Sequence, residues 1–179
     1  PASNDVNAYA QAQVLATFDE AELNNMSLDL KNAGVEVESE MTDAELKCSS
    51  LVKEVVALKV QAGTNAVGGG RTVASGVLLV PSKDSYKVTS TNFNVIVAAP
   101  DNMFANEDVP SLIFRNGVSQ YLPGGLSVNP YYFWVDRVKK GNAVVFIPDY
   151  LGFGDSKNSS LTAYGSRDFV ESSMVDLIR

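Results

Sequence analysis

The 179-residue sequence contains no histidine, one cysteine and no long apolar run. Without histidine, neither a Ser-His-Asp nor a Cys-His catalytic arrangement can be built from this chain alone, and the commonest metal ligand is missing. The lone Cys48 excludes an internal disulfide framework and any cysteine-based metal site. Cys48 is either a small buried apolar residue or a residue that bonds to a partner chain. We therefore expect no cofactor and no metal.

Basic residues are also scarce, with 14 Lys and Arg against 21 Asp and Glu and a net charge of −7. Because no basic patch is available to neutralise phosphates, nucleic acid is not an expected partner. No stretch of about 18 apolar residues exists, so the sequence predicts no transmembrane segment. The length suits one domain, and the apolar content of 45% is typical of a globular protein.

The most informative stretch is residues 141–156, in which the apolar run Val144–Ile147 ends at Pro148-Asp149 and passes into a Gly-x-Gly loop. A short apolar run bounded by turn residues predicts a strand that is buried on both faces. Loops at the carboxyl ends of such strands are where open α/β sheets bind ligands. The alternative is a structural strand followed by a glycine-rich turn with no role in a site.

The first 50 residues are polar and predict helices. Residues 8–15 are rich in Ala and Gln, and two capping boxes, Thr17–Glu20 and Thr42–Glu45, predict helix starts. We expect residues 1–50 to form a helical extension, which either packs on the main domain or acts as a lid. Residues 51–179 would form the main domain.

After residue 50 the pattern alternates between strands and helices. It predicts a hairpin over residues 52–80, strands over 93–99, 111–118 and 144–147, and helices over 130–140 and 168–179. Early antiparallel strands followed by βαβ units indicate an α/β fold with a mixed sheet. In this order the Ala143 strand would lie at or near an edge of the sheet. Such an apolar strand is a poor edge, so we expect further strands from outside this chain.

Three runs carry a resemblance to a known family: Thr72–Pro81, Phe114–Val118 and Ile147–Ser156. They resemble the N-terminal half of the α/β-hydrolases, closest to the secreted esterases and lipases, and the resemblance covers roughly residues 52–179. It implies acyl transfer on a carboxylic ester or lipid substrate, and a secreted protein. The family's nucleophile lies in a G-x-S-x-G turn, followed by the acid and the histidine. This chain has no such motif. The resemblance therefore places all three residues beyond Arg179, on a second polypeptide made by proteolytic processing.

The resemblance also implies a role for Asn116, Gly117 and Val118. The family usually has His-Gly at this place, followed by a residue whose backbone N–H helps to form the oxyanion hole. Val118 would supply that N–H, which is worth about 2.7–4 kcal/mol in such sites, and Gly117 would permit close approach. Asn116 replaces the histidine and would brace the loop. The alternative is a simple turn.

Other candidates lie near the same loop or on the surface. Asp149 is expected to cap loop amides in preference to acid–base work, and Tyr150 either lines the pocket or packs beneath the loop. The aromatic residues 131–134 are either helix core or the border of an acyl pocket. Asn25 and Asn158 lie in N-x-S sequons and would carry glycan in a secreted protein.

Two functional hypotheses from different classes follow from these observations. In the first, the chain is one half of a two-chain ester hydrolase and is not catalytic by itself. In the second, it is a non-catalytic α/β-hydrolase-like module for binding or assembly, which the missing histidine and Asn116 favour. A third reading, a chain cut short, makes no functional claim.

Overall fold

The computed structural model describes residues 12–32, 52–66, 69–82, 94–99, 109–116, 130–140 and 143–157. These residues form five strands, three helices and a short 3₁₀ turn. The strands are β1 (Gln13–Phe18), β2 (Val55–Asn65), β3 (Arg71–Pro81), β4 (Asn94–Val97) and β5 (Ala143–Pro148). The helices are α1 (Glu20–Asn32), α2 (Pro110–Asn116) and α3 (Pro130–Lys140), and the 3₁₀ turn is Gly154–Ser156.

The strands form one mixed sheet in the order β1-β2-β3-β5-β4. The pairs β1–β2, β2–β3 and β3–β5 are antiparallel, whereas β4 and β5 are parallel. Antiparallel first strands are thus followed by a βαβ unit, in which α2 and α3 connect β4 to β5. The predicted α/β class with a mixed sheet is confirmed.

One face of the sheet carries the core. A single row crosses all five strands in register through Ala16, Ala57, Leu79, Val145 and Ile96. Its three central members are fully buried. The three helices pack on this face, and their buried contributions to the cluster are Leu23, Met26, Ile113, Phe114, Tyr131, Val135 and Val138. Each large aliphatic side chain buried there contributes about 1.5–3 kcal/mol to stability.

The other face carries a second apolar row, formed by Val14, Leu58, Leu78, Phe146 and Val97. None of these residues belongs to the cluster that the helices complete. Val14 and Val97, at the two ends of the row, are 57% and 42% exposed, whereas Phe146 is 3% exposed. The same strands therefore present a sealed face and a partly open one.

Strand β5 lies inside the sheet and not at an edge. It pairs with β3 on one side and with β4 on the other. The expectation that this strand lies at or near an edge, and needs a neighbour from another chain, is wrong. Among the described strands, β4 pairs on one side only, with β5.

The predicted strand over Ser111–Val118 is also wrong, because residues 110–116 form helix α2. A short apolar run does not distinguish a buried strand from a buried helical segment. The helical signal is Pro110, which suits the first turn of a helix because its missing N–H would have no partner there. The carbonyl oxygen of Val109 accepts the N–H groups of Leu112 and Ile113, both at 3.1 Å.

The N-terminal segment differs from the prediction at two points. Residues 13–18 form strand β1 and not a helix, because pairing with β2 overrides the helical propensity of the Ala- and Gln-rich sequence. The capping box lies two residues later than expected: Asp19 Oδ1 accepts the Glu22 N–H at 2.9 Å, and Glu22 Oε2 accepts the Asp19 N–H at 3.0 Å. Thr17 itself lies within β1. The division of the chain at residue 50 stays a prediction.

The remaining predicted elements of the main domain are found within a few residues of their expected bounds. These are the hairpin β2–β3, strands β4 and β5, and helix α3. The second capping box, Thr42–Glu45, and the predicted helix over residues 168–179 lie outside the described residues, as does Cys48. No helix in the described part of the chain is long and apolar enough to cross a membrane.

Candidate functional site

The candidate site lies at the carboxyl end of β5, where Asp149 follows the strand directly. The Asp149 side chain is 2% exposed. Its backbone N–H donates to the Ser75 carbonyl oxygen at 2.9 Å, which extends the pairing of β5 with β3 by one residue. Because β4 is parallel to β5, the carboxyl ends of both strands meet at this edge of the sheet.

Three donors converge on the Asp149 carboxylate. Its Oδ1 accepts the backbone N–H of Ser111 at 3.1 Å, and its Oδ2 accepts the hydroxyl groups of Ser75 and Ser111, each at 2.6 Å. The Ser111 N–H lies in the first turn of α2, where helical amides have no partner within the helix. Asp149 thus caps α2 from a distant strand and joins β3, β5 and α2 at one point.

Burial raises the pKa of the Asp149 carboxyl above its ordinary value, because the charged form loses hydration. Hydrogen bonds from Ser111 and Ser75 act in the opposite direction, and the nearby charge of Asp155 raises the pKa further. A buried carboxylate with three protein donors is chemically suited to holding backbone segments in place. Its role as a pocket residue, and that of the half-buried Tyr150, stay predictions.

The loop after Asp149 folds tightly over this carboxylate. Gly154 has φ of 57°, and a Cβ atom at this position would lie 2.6 Å from Asp149 Oδ2 and 2.7 Å from Ser75 Oγ. Only glycine fits such close approach in this backbone conformation. Ser156 closes the turn, since its hydroxyl donates to the Phe153 carbonyl oxygen at 2.8 Å and accepts the Gly152 N–H at 2.9 Å.

Asp155 ties the same turn to the sheet. Its carboxylate accepts hydrogen bonds from Lys59 Nζ at 2.7 Å and from Gln61 Nε2, both on β2. Its backbone N–H lies 3.3 Å from Ser75 Oγ. The Gly-x-Gly loop is therefore fixed at two places, by the buried carboxylate beneath it and by β2 beside it.

The residues of the proposed oxyanion hole lie at or beyond the end of α2. Asn116 is the last residue of this helix, and Gly117 and Val118 lie outside the described residues. They therefore do not follow a strand directly, as the resemblance would require. Their role stays a prediction.

Of the two sequons, one lies in α1 and one lies outside the described residues. Asn25 is exposed on α1, and the hydroxyl of Ser27 in the same sequon donates to the Leu23 carbonyl oxygen at 3.0 Å and also bonds to Asp136. Asn158 lies outside the described residues.

The aromatic residues of α3 contribute to the core. The Tyr131 ring packs edge-on against Phe114 at 5.4 Å between centroids, and Phe114 packs on Phe18 at 6.2 Å. Tyr132 and Trp134 pack partly buried against the same cluster. These contacts agree with the reading of this segment as helix core.

Two residues that hold the site together, Ser75 and Ser111, did not stand out in the sequence. They are separated from Asp149 by 74 and 38 positions, so no local spacing reveals their contacts. The available signal is weak: Ser75 precedes Gly76 and lies between apolar residues of β3. In the described ranges, no group of three His, Cys, Asp or Glu side chains is placed to hold a metal ion.

Solved structures of similar fold were found for nearly the whole chain. The rice cell wall degrading esterase LipA from Xanthomonas oryzae, in its N228W mutant, aligns over 94% of this chain with a TM-score of 0.62 and 21% identity. A protein from Legionella pneumophila that is provisionally named a hydrolase aligns over 94% of this chain with a TM-score of 0.61 and 20% identity. This chain spans 35% and 37% of the lengths of those two structures.

No protein-family model and no curated protein matches the sequence. The structural likeness at this identity concerns the fold. The mixed sheet with its packed helices is an α/β fold similar to the folds of these solved structures.

Proposed function

We propose that this chain is part of a carboxylic-ester hydrolase that works by acyl transfer, and that a second polypeptide supplies the nucleophile, the acid and the histidine. The observation that carries the proposal is the structural likeness to an esterase over 94% of this chain. In this proposal the chain supplies one wall of the site and no member of the triad, since it has neither a histidine nor the G-x-S-x-G motif of the nucleophile. The substrate would be an ester or a lipid.

The geometry at the carboxyl ends of β4 and β5 supports the proposal that this chain supplies a wall of the pocket. Ligands in open α/β sheets bind outside the carboxyl ends of the strands. The loop after β5 is held rigidly there by Asp149 and Asp155, through the contacts with β2, β3 and α2. A fixed loop is what a pocket wall requires, because misplacement by about 1 Å costs catalysis heavily.

The oxyanion hole is proposed for the segment Asn116-Gly117-Val118. Helix α2 has seven residues and is therefore about 10 Å long. Its first turn is held by Asp149, so the residues that follow its last turn leave from a defined position. In this arrangement Asp149 would place the backbone donor of Val118 without touching the substrate.

Secretion and proteolytic processing belong to the same proposal. In a secreted protein, Asn25 and Asn158 would carry glycan. The Ser27 hydroxyl is engaged in the folded helix, so modification of Asn25 would precede the folding of α1.

The test is incubation of the native assembly with a fluorophosphonate probe, followed by separation under denaturing conditions. We expect a second polypeptide to be labelled and this chain to remain unlabelled. Hydrolysis of p-nitrophenyl butyrate should be lost in parallel with labelling. Labelling of this chain would contradict the proposal.

A second candidate function is a non-catalytic module of the same fold, used for binding or assembly. The absence of histidine and the presence of Asn116 where the resembling family has histidine favour it. The two functions differ in the sequence of the second polypeptide. A G-x-S-x-G motif with a later acid and histidine supports the hydrolase, and their loss supports the module.

A further inference from the structure

The face of β2 that contributes to the core changes from apolar to polar along the strand. Side chains alternate between the two faces of a strand, so Val55, Ala57, Lys59 and Gln61 share one face. Val55 and Ala57 are fully buried in the core, and the two polar residues follow them. The Lys59 side chain is only 20% exposed. Contact with solvent therefore does not account for a charged residue at this position.

Both polar side chains bind the same carboxylate. Lys59 Nζ donates to Asp155 Oδ1 at 2.7 Å, and Gln61 Nε2 donates to Asp155 Oδ2. Each carboxylate oxygen thus has its own donor on β2. Because two parallel contacts restrict a carboxylate more than one does, they fix its orientation as well as its position.

Asp155 belongs to a turn that is also bonded within itself. The Ser156 N–H donates to the Phe153 carbonyl oxygen at 3.1 Å, and the Ser156 hydroxyl accepts the Gly152 N–H at 2.9 Å. These bonds hold the turn together but do not place it against the sheet. Asp155 contacts the sheet twice, through its carboxylate on β2 and through its N–H, which lies 3.3 Å from Ser75 Oγ on β3.

Stability alone is a weak reason for this ion pair. The two side chains are 20% and 29% exposed, so both charges lose part of their hydration. Pairs of this kind add little net stability, because the lost hydration offsets the attraction. The chain that leaves β5 is already anchored by the buried Asp149 and Leu151. The distinct effect of the pair is to set where the turn lies.

We propose that Lys59 and Gln61 are positioning residues for the ester pocket. Through Asp155 they hold the turn of residues 152–156 against β2, and they thereby place one wall of the pocket without touching the substrate. The inference rests on the proposed function, because the wall belongs to the site proposed there. A displaced wall leaves the ester bound but misaligned for attack, so its loss lowers kcat more than it raises KM.

The test compares Lys59→Met with the native protein in the native assembly. This change removes the ammonium group and keeps an unbranched side chain. We expect the Asp155 amide to exchange its hydrogen about tenfold faster, and kcat for p-nitrophenyl butyrate to fall about tenfold with little change in KM. The amides of Gly152 and Ser156 should keep their exchange rates, because their bonds lie within the turn.

The matched control is Lys53→Met, which makes the same change of charge. Lys53 lies just before β2 and pairs with Glu20 on α1, and the two side chains are 51% and 54% exposed. We expect this variant to keep the native Asp155 exchange rate and the native kcat. Lys59→Arg retains a cation that can bind the carboxylate, and it should restore most of both quantities.

Gln61→Ala gives the same readouts at an exposed position, and it serves as the test if Lys59→Met does not fold. We expect a smaller acceleration of Asp155 exchange in the same direction, because the ion pair remains. An unchanged Asp155 rate in this variant and in Lys59→Met would overturn the inference.

Three further results would also overturn it: an equal effect of Lys53→Met, equal losses in Lys59→Arg and Lys59→Met, or a change in KM alone. A native assembly that hydrolyses esters with a kcat that Lys59→Met leaves unchanged would overturn the positioning role and retain the hydrolase. A native assembly without ester hydrolysis, in which Lys59→Met still accelerates Asp155 exchange, would contradict the hydrolase and support the placing of the turn by Lys59.

Discussion

Strands β4 and β5 are parallel neighbours with similar apolar sequences, and they lie in very different surroundings. The β5 segment Ala143–Pro148 is buried at five of its six positions and paired on both sides. Strand β4 is exposed at three of its four positions and, within the described ranges, is paired on one side. Apolar composition therefore does not by itself distinguish an interior strand from a strand at the edge of the described sheet. The difference lies in what pairs with each strand and what is anchored at its end.

The end of β5 offers the largest expected effect. Asp149→Leu would leave three donors, on Ser75 and Ser111, without their acceptor in a buried place. We expect the free energy of unfolding to fall by about 3 kcal/mol or more, because each buried unsatisfied group costs about 1–3 kcal/mol. Urea unfolding followed by circular dichroism measures it.

The control for this change is Asp149→Asn, which keeps one acceptor oxygen and a similar shape. The two serine hydroxyls can rotate to accept from the amide, so we expect a clearly smaller loss. Equal losses for both variants would show that the carboxylate does not organise this corner of the fold.

Matched valines test the contrast between the two strands directly. Val145 on β5 is fully buried and lies in register with Ile96, beside Val95 on β4. Val145→Ala should lower the free energy of unfolding of the chain by about 2–3 kcal/mol, through lost burial and a cavity. Val95→Ala should change it by less than about 0.5 kcal/mol. Similar losses of unfolding free energy for the two variants would contradict the contrast between a buried β5 and an exposed β4.

Two glycines in the β2–β3 hairpin, Gly76 and Gly63, test how closely β3 packs against β5. A Cβ at Gly76 would lie 2.8 Å from both the Ile147 carbonyl oxygen and Phe146 Cε2, so Gly76→Ala should cost about 1–3 kcal/mol. At Gly63 the nearest atom is the flexible end of Arg71 at 3.0 Å, so Gly63→Ala should cost little. Thermal unfolding of both variants checks this, and a costless Gly76→Ala would mean that β5 packs less closely on β3 than described.

The smallest expected effect is a pH dependence. Because burial raises the pKa of Asp149, this group favours the folded state most at pH values below its ordinary pKa, and that contribution is lost as the pH rises through the raised pKa. The free energy of unfolding of the native chain minus that of Asp149→Asn should therefore fall as the pH rises from the ordinary aspartate pKa of about 4 through the raised pKa. Urea titrations at several pH values measure this difference, and an increase with pH would contradict the assignment.

The sequence predicted the elements that have strong local signals. The hairpin β2–β3 has β-branched runs around a glycine-rich turn, helix α3 has Pro130 and a basic last turn, and β5 has a continuous apolar run. The elements that failed depend on tertiary contacts. Strand β1 forms because β2 pairs with it, and α2 is capped by a carboxylate 38 residues away.

The position of β5 in the sheet could not be predicted from the sequence, for a related reason. Its expected parallel neighbour was the segment from Ser111, and once that segment is a helix, the neighbour becomes β4. The sequence placed the candidate site only at the loop after β5, and that placement stays a prediction. Its supporting residues Ser75 and Ser111 required the fold to bring them together.

Amide hydrogen exchange of β4 tests the central claim most directly, namely that this strand pairs with β5 on one side and, within the described part of the chain, is unpaired on the other. In the purified chain we expect alternation: the amides of Ile96 and Ala98 should be protected, and those of Val95 and Val97 should exchange rapidly. Uniform protection would show a partner strand within the chain itself. Uniformly rapid exchange would show that β4 does not pair with β5, and either result would contradict the account.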